Sequence, residues 1–155
     1  MERMEQQRNH INDIIEHVRN RSYMSGVDRE QARIKATGEV FTPTPLVQEI
    51  LDYYEFDDPE QTFMDPSCGD GQFLGEVLIR KVQSGIDFET ALGTIYGIDL
   101  MFDNVETCRE RLLCGRNDLR HIVEKNIVCA DGLDYDYLFG EPETFGPNDL
   151  FVVDN

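Results

Sequence analysis

The densest chemistry in the chain lies in ten consecutive residues, Asp65-Pro66-Ser67-Cys68-Gly69-Asp70-Gly71-Gln72-Phe73-Leu74. Gly69 and Gly71 permit a tight turn and a close backbone approach to a ligand. The helical pattern that follows begins with N–H groups lacking intrahelical partners, a setting that suits a phosphate or a carboxylate. No Lys-Ser/Thr pair follows the glycines, so this is not a P-loop. Asp65 and Asp70 would repel a pyrophosphate and attract an ammonium or sulfonium cation. The segment therefore favours a cationic, amino-acid-like ligand over a dinucleotide. Two later segments also end in carboxylates, Gly97-Ile98-Asp99-Leu100 and Ala130-Asp131-Gly132. An acid at the end of the second strand of a doubly wound sheet accepts hydrogen bonds from ribose hydroxyls. Leu100 and Met101 offer apolar surface to a purine, and Asp131 can accept from an adenine amino group. Asp65, Asp99 and Asp131 thus match the amino-acid, ribose and base portions of S-adenosylmethionine. One Asp at a strand end is ordinarily a turn or cap residue; acids in register after successive strands are a rarer pattern.

Strands and helices must alternate to put those carboxylates side by side. Thr44-Pro45 reads as a cap followed by a proline in the first helical turn, opening a helix to about Tyr54. Thr62 to Asp65 reads as a strand and Gln72 to Gln83 as a helix closed by Ser84-Gly85. A short helix, Asp87 to Leu92, leads to a strand at Ile95 to Asp99. Asp103 caps a helix to about Leu113, and strands follow at Asn126 to Ala130 and Leu150 to Val153. This alternation predicts an α/β fold, a Rossmann-like doubly wound parallel sheet that binds ligands beyond the carboxyl ends of its strands.

The N-terminal residues 1–37 read as a helical arm preceding a domain at 38–155. Met4, Ile11, Ile14, Ile15 and Val18 fall on one helical face. Ser25-Gly26 ends that helix, and a second stretch runs from Asp28 to Ala36. His10 and His17 read as surface residues, with no third ligand nearby to make a metal site.

The chain has 155 residues, 14 basic and 31 acidic, for a net charge of −17. Residues 1–40 hold seven basic and seven acidic side chains, so the excess lies wholly in the remainder. A surface this acidic argues against a simple cationic grip on nucleic acid and against docking on an anionic membrane. No apolar run approaches the ~20 residues needed to span a bilayer. Cys68, Cys108, Cys114 and Cys129 lack CxxC spacing, which speaks against zinc or a disulfide framework and for a cytoplasmic setting.

Gly38-Glu39-Val40-Phe41-Thr42-Pro43 resembles the motif preceding the first strand of N6-adenine DNA methyltransferases of the restriction-modification kind. Asp65 to Leu74 is similar to their Asp-Pro-x-Cys-Gly-x-Gly-x-Phe-Leu motif, and the likeness runs on through Tyr96 to Asp99 and Cys129 to Gly132. The resemblance implies S-adenosylmethionine as cofactor and an adenine in DNA as target. It implies that Val40, Phe41 and Thr42 contact the methionine end together with Asp65, Pro66, Ser67 and the turn of Gly69, Asp70 and Gly71. Asp99 and Leu100 would serve the ribose and base, and Asp131 with Gly132 the adenine. Cys68 would be a pocket-wall residue, not a nucleophile.

In that family the fourth strand leads into Asn-Pro-Pro-Tyr or Asn-Pro-Pro-Phe. The Asn and a proline carbonyl accept hydrogen bonds from the target amino group, and the aromatic residue stacks on the flipped base. Here the sequence reads Val153-Asp154-Asn155. Asn155 holds the position of the catalytic Asn, without the Pro-Pro-aromatic. The expectation is a cofactor-binding portion that is inactive alone, the rest being supplied by a longer enzyme or by a second polypeptide in trans. A related variant of the chemistry acts on protein glutamine. Two further readings are an acidic DNA mimic that occupies a basic groove of a restriction enzyme, and a cofactor-binding regulatory subunit without catalysis.

Overall fold

The computed structural model describes residues 1–24 and 41–140. Val40, the stretch from Asp28 to Ala36, the expected strand at Leu150 to Val153 and Asn155 lie outside them. The described elements are α1 (Glu2–Val18), α2 (Thr44–Leu51), β1 (Phe63–Asp65), α3 (Gln72–Gln83), α4 (Phe88–Gly93), β2 (Ile95–Asp99), α5 (Phe102–Leu113), α6 (Arg120–Asn126) and β3 (Ile127–Cys129), with short 3-10 turns at Arg21–Tyr23 and Asn117–Leu119.

The strands form a parallel sheet in the order β1-β2-β3. Asp65 pairs with Gly97, and Asp99 with Cys129. That register brings the three strand ends to one edge of the sheet, the requirement that the sequence pattern set. α3 is the central helix. Leu74, Val77, Leu78 and Ile79 on it are buried, as are Ile95 and Ile98 of β2. Its close approach to the sheet depends on Gly97. A Cβ there would lie 2.7 Å from Leu74 Cδ1 and 3.0 Å from Cys68 Sγ.

α1 does not stand apart from this core. Ile14 and Val18 belong to the same apolar cluster as Leu74 and Leu112. His10 is exposed, whereas His17 is half-buried: its Nε2 lies 3.2 Å from the Glu110 carbonyl oxygen and 3.1 Å from the Tyr23 hydroxyl. Among the described residues no helix is long and apolar enough to cross a membrane.

Element boundaries differ from expectation in instructive ways. α2 starts one residue early, at Thr44 with Pro43 as its cap, and stops at Leu51, leaving Tyr53 and Tyr54 exposed in a turn. Asp103 sits inside the first turn of α5, and Met101 is the cap. The sequence pattern omitted α6. It buries only Val123 and Asn126, too little apolar periodicity to show in seven residues.

Candidate functional site

The turn after β1 is shaped by backbone constraint. Gly69 and Gly71 adopt positive φ, +55° and +96°, a region costly for residues with a Cβ. Cys68 N–H donates to the Ile98 carbonyl at 2.8 Å, and Ser67 N–H to Asp65 Oδ1 at 3.0 Å. Phe41 lies over the turn, where a Cβ on Gly69 would come 3.2 Å from its ring.

Asp99 is the hub of the site. It is 7% exposed, and its carboxylate accepts three hydrogen bonds: from Gly69 N–H at 3.1 Å, from Met101 N–H at 3.0 Å and from the Asn104 side chain at 3.0 Å. The end of β2 is thereby tied to the turn after β1. The loop after β3 closes in from the other side. Asp131 Oδ1 accepts from Leu133 N–H at 3.0 Å, and the Tyr137 hydroxyl donates to the Gly132 carbonyl. Gly132 comes so close to the β1 loop that a Cβ on it would lie 2.8 Å from the Pro66 carbonyl oxygen.

Two adjoining cavities result. The larger, about 450 Å³, is walled by Pro66, Ser67, Asp99, Leu100, Met101 and the Asp131–Leu133 loop. The smaller, about 270 Å³, is walled by Thr42, Asp65, Cys68 and Phe73. Phe41, Pro66, Ser67 and Gly69 line both. Every expected site residue within the described part except Gly71 lines one cavity or the other. Gly71 lies behind the turn, packed toward Cys108, whose Sγ would be 3.0 Å from a Cβ there.

The two loop acids differ. Asp65 sits at the wall, where burial raises its carboxyl above the ordinary value and the nearby Asp99 charge adds to the rise, with the Ser67 N–H opposing. Asp70 contributes to the floor of the smaller cavity, but it is 1% exposed and its carboxylate is 3.4 Å from Arg111 Nη1. Its charge is compensated within the protein, not offered to a ligand as the sequence reading had it.

The cysteines divide similarly. A hydrogen bond with Cys108 and burial together hold the Cys68 thiol well above its ordinary value. Cys108 is buried, Cys114 is half-buried with a thiol pushed up to about 12 by burial, and Cys129 is exposed at the end of β3 rather than in the core.

Sequence reasoning missed Asn104 and Tyr137. Asn104 is fully buried, lines the larger cavity and orients Asp99. Its position in the first turn of the helix after Asp99 was the available signal. Tyr137 lines the same cavity and has φ +61°, a left-handed conformation rare for an aromatic residue. Its role depends on the loop's path, which residue types do not disclose.

A family model described as N-6 DNA Methylase matches residues 26–143, most of the chain and all of the site described above. The chain belongs to the N-6 DNA methylase family. It is 33% identical over 115 residues to the Type II methyltransferase M.VspI of Vibrio sp. (strain 343). That alignment covers 68% of this chain and 25% of the relative, so the chain spans about a quarter of the length of the curated relative it matches. No solved structure matches it significantly. For an N-6 DNA methylase family member, the Asp-Pro-Ser-Cys-Gly-Asp-Gly turn, Asp99 and Asp131 all fall inside the matched region.

Proposed function

We propose that the joined cavities bind S-adenosylmethionine and that this chain is the cofactor-binding portion of a DNA adenine-N6 methyltransferase. The observation that carries the reading is that the Asp65–Asp70 turn, Asp99 and the Asp131–Gly132 loop line two adjoining cavities, with Phe41, Pro66, Ser67 and Gly69 shared by both.

The residues present fit that cofactor. Asp65, with Phe41, Thr42, Pro66 and Ser67, would hold the methionine end, and Val40 would join them. A partly buried carboxylate favours a cation beside it over a neutral group. Asp99 would hold the ribose. A carboxylate has about four lone-pair sites, and three protein N–H groups occupy Asp99, so it is pre-oriented with capacity left for a hydroxyl. Leu100, Met101 and Leu133 supply apolar surface for a purine, and the Asp131–Gly132 edge meets its polar rim. Gly69, Asp70 and Gly71 would act by shaping the turn. Bound S-adenosylmethionine would supply an electrophilic methyl group on a sulfonium.

Asn155 would accept hydrogen bonds from the adenine amino group and free its lone pair for attack. The Pro-Pro-aromatic that the resemblance implies after it is not among the 155 residues. These 155 residues span about a quarter of the length of M.VspI, and tested by themselves they are expected to bind cofactor without transferring the methyl group to DNA. A longer polypeptide or a second one in trans would complete the enzyme.

Calorimetry with S-adenosylmethionine tests the reading. Saturable one-to-one binding by the wild type, lost in Asp99→Ala, supports it; no heat with the wild type overturns it. Tritiated cofactor with mixed-sequence DNA tests the second half, and robust label in adenine would refute the expected inactivity.

A further inference from the structure

Arg111, on α5, is fully buried, and its guanidinium reaches three residues on two other segments at once. Nε donates to the Val18 carbonyl at the end of α1, at 2.7 Å. Nη1 faces the Asp70 carbonyl at 3.3 Å and its carboxylate at 3.4 Å, and Nη2 donates to Gln72 Oε1 at 2.9 Å. Gln72 passes the linkage on, its Nε2 donating to the Thr42 carbonyl at 2.7 Å. One guanidinium thus connects the end of α1 to the glycine turn and, through Gln72, to the Phe41-Thr42 segment that covers it.

A second clamp holds α1 against the start of α3. Glu76 is 2% exposed; its carboxylate accepts two bonds from Arg19, at 2.9 and 3.1 Å, and one from Gln48 at 3.0 Å. Between the clamps lies Gly75, where a Cβ would meet Val18 Cγ1 at 2.7 Å and Arg111 Nε at 3.4 Å. Desolvating a guanidinium is costly, and a planar fork with fixed donor directions suits several acceptors where an ammonium would not. These contacts stand behind the cavities, on the interior side of the turn.

We propose that Arg111 is a positioning residue for the cofactor cavities, setting the glycine turn and the Phe41-Thr42 segment by tying both to the C-terminal end of the N-terminal helix. The inference rests on the reading of the cavities as an S-adenosylmethionine site. It makes α1 a determinant of cofactor affinity even though α1 lines neither cavity.

The test compares wild type, Arg111→Lys and Gly75→Ala in the full chain. Two quantities are measured: the Kd for S-adenosylmethionine by calorimetry, and amide hydrogen exchange of residues 66–72 without cofactor. Arg111→Lys keeps a cation beside Asp70 but cannot span three sites. Gly75→Ala keeps the arginine itself but presses a methyl group on Val18 and on Arg111 Nε from a helix interior, where Ala is otherwise favoured. Both variants are expected to speed loop exchange and to weaken cofactor binding roughly tenfold, the scale of one displaced hydrogen-bonded contact. A lowered Tm with loop exchange and Kd at wild-type values would overturn the proposal, because a merely structural arginine predicts that result. Should Arg111→Lys not fold, Gly75→Ala decides on the same two readouts. If the wild type binds no S-adenosylmethionine, the cofactor reading fails, and the loop exchange still decides what Arg111 does.

Discussion

The backbone N–H of Gly69 donates to the Asp99 carboxylate at 3.1 Å, joining the turn after the first strand to the end of the second. The bond connects residues thirty apart in sequence and closes the wall of the larger cavity. It also gives Asp99 two duties, since the same residue orders the protein and lines the larger cavity.

Replacing Asp99 therefore separates those duties. Asp99→Ala leaves Gly69 N–H, Met101 N–H and the Asn104 amide without their acceptor, and each loss in a buried site carries a desolvation cost. The expected destabilisation is about 2–4 kcal/mol, read from urea unfolding, together with loss of cofactor binding. Asp99→Asn retains one acceptor oxygen and should recover part of the stability while binding cofactor more weakly than wild type. Equal stability of all three proteins would contradict the geometry.

Gly132 is expected to tolerate no side chain without a shift of two loops. Its φ is not in the left-handed region, so the constraint is the 2.8 Å approach to the Pro66 carbonyl and not backbone strain. Gly132→Ala should cost about 1–2 kcal/mol, the usual scale of overpacking, and should lower cofactor affinity more visibly than stability. Parallel denaturation and calorimetry would show the difference; a variant with unchanged affinity would argue that the loop contact does not shape the site.

Asp65 predicts a pH dependence. Its folded carboxyl is raised, chiefly by burial and further by Asp99. The folded chain thus takes up this proton at higher pH than the unfolded chain does. Any stability linked to Asp65 is present below the ordinary carboxyl value and is lost as pH rises through the raised one. A cation at this site acts in the opposite sense, favouring the carboxylate. Cofactor affinity should then be full above the raised value and decline as pH falls through it, with proton release on binding near that pH. Asp65→Asn should bind more weakly and flatten the profile. A wild-type profile that stays level as pH falls through the whole carboxyl range would remove Asp65 from the cation's surroundings.

Thiol labelling checks the burial pattern independently of any ligand. Cys129 is exposed, whereas Cys68 and Cys108 are buried and Cys114 is half-buried with its thiol raised to about 12. One thiol, Cys129, should react well ahead of the other three with an aromatic disulfide reagent in the native protein, though more slowly than a free cysteine because partial burial and the charge of Asp99 raise it. All four should react in denaturant. Cys129→Ser should abolish the prompt phase, and rapid native labelling of Cys68 would mean that the turn opens.

Much of the site is legible in residue types alone. The helix from Gln72 to Gln83 and the strand from Ile95 to Asp99 occur where periodicity and turn residues put them. Alternating strands and helices point to a parallel sheet, and a parallel sheet aligns strand ends, so Asp65, Asp99 and Asp131 come to one edge of it, with β2 and Asp99 in the middle. What local pattern does not carry is the direction in which a side chain turns and what meets it from far along the chain. Asp70 and Asp65 are both acids of one loop, yet Asp70 is drawn inward by an arginine 41 residues away while Asp65 stays at the wall. Gly132 reads as a turn glycine until the Pro66 carbonyl is found beside it. Arg111 reads as one more basic residue on an amphipathic helix. Only the packing of α1, α3 and α5 around it makes burying its charge worthwhile, because two segments more than fifty residues apart, at Val18 and at Asp70 to Gln72, supply its acceptors together.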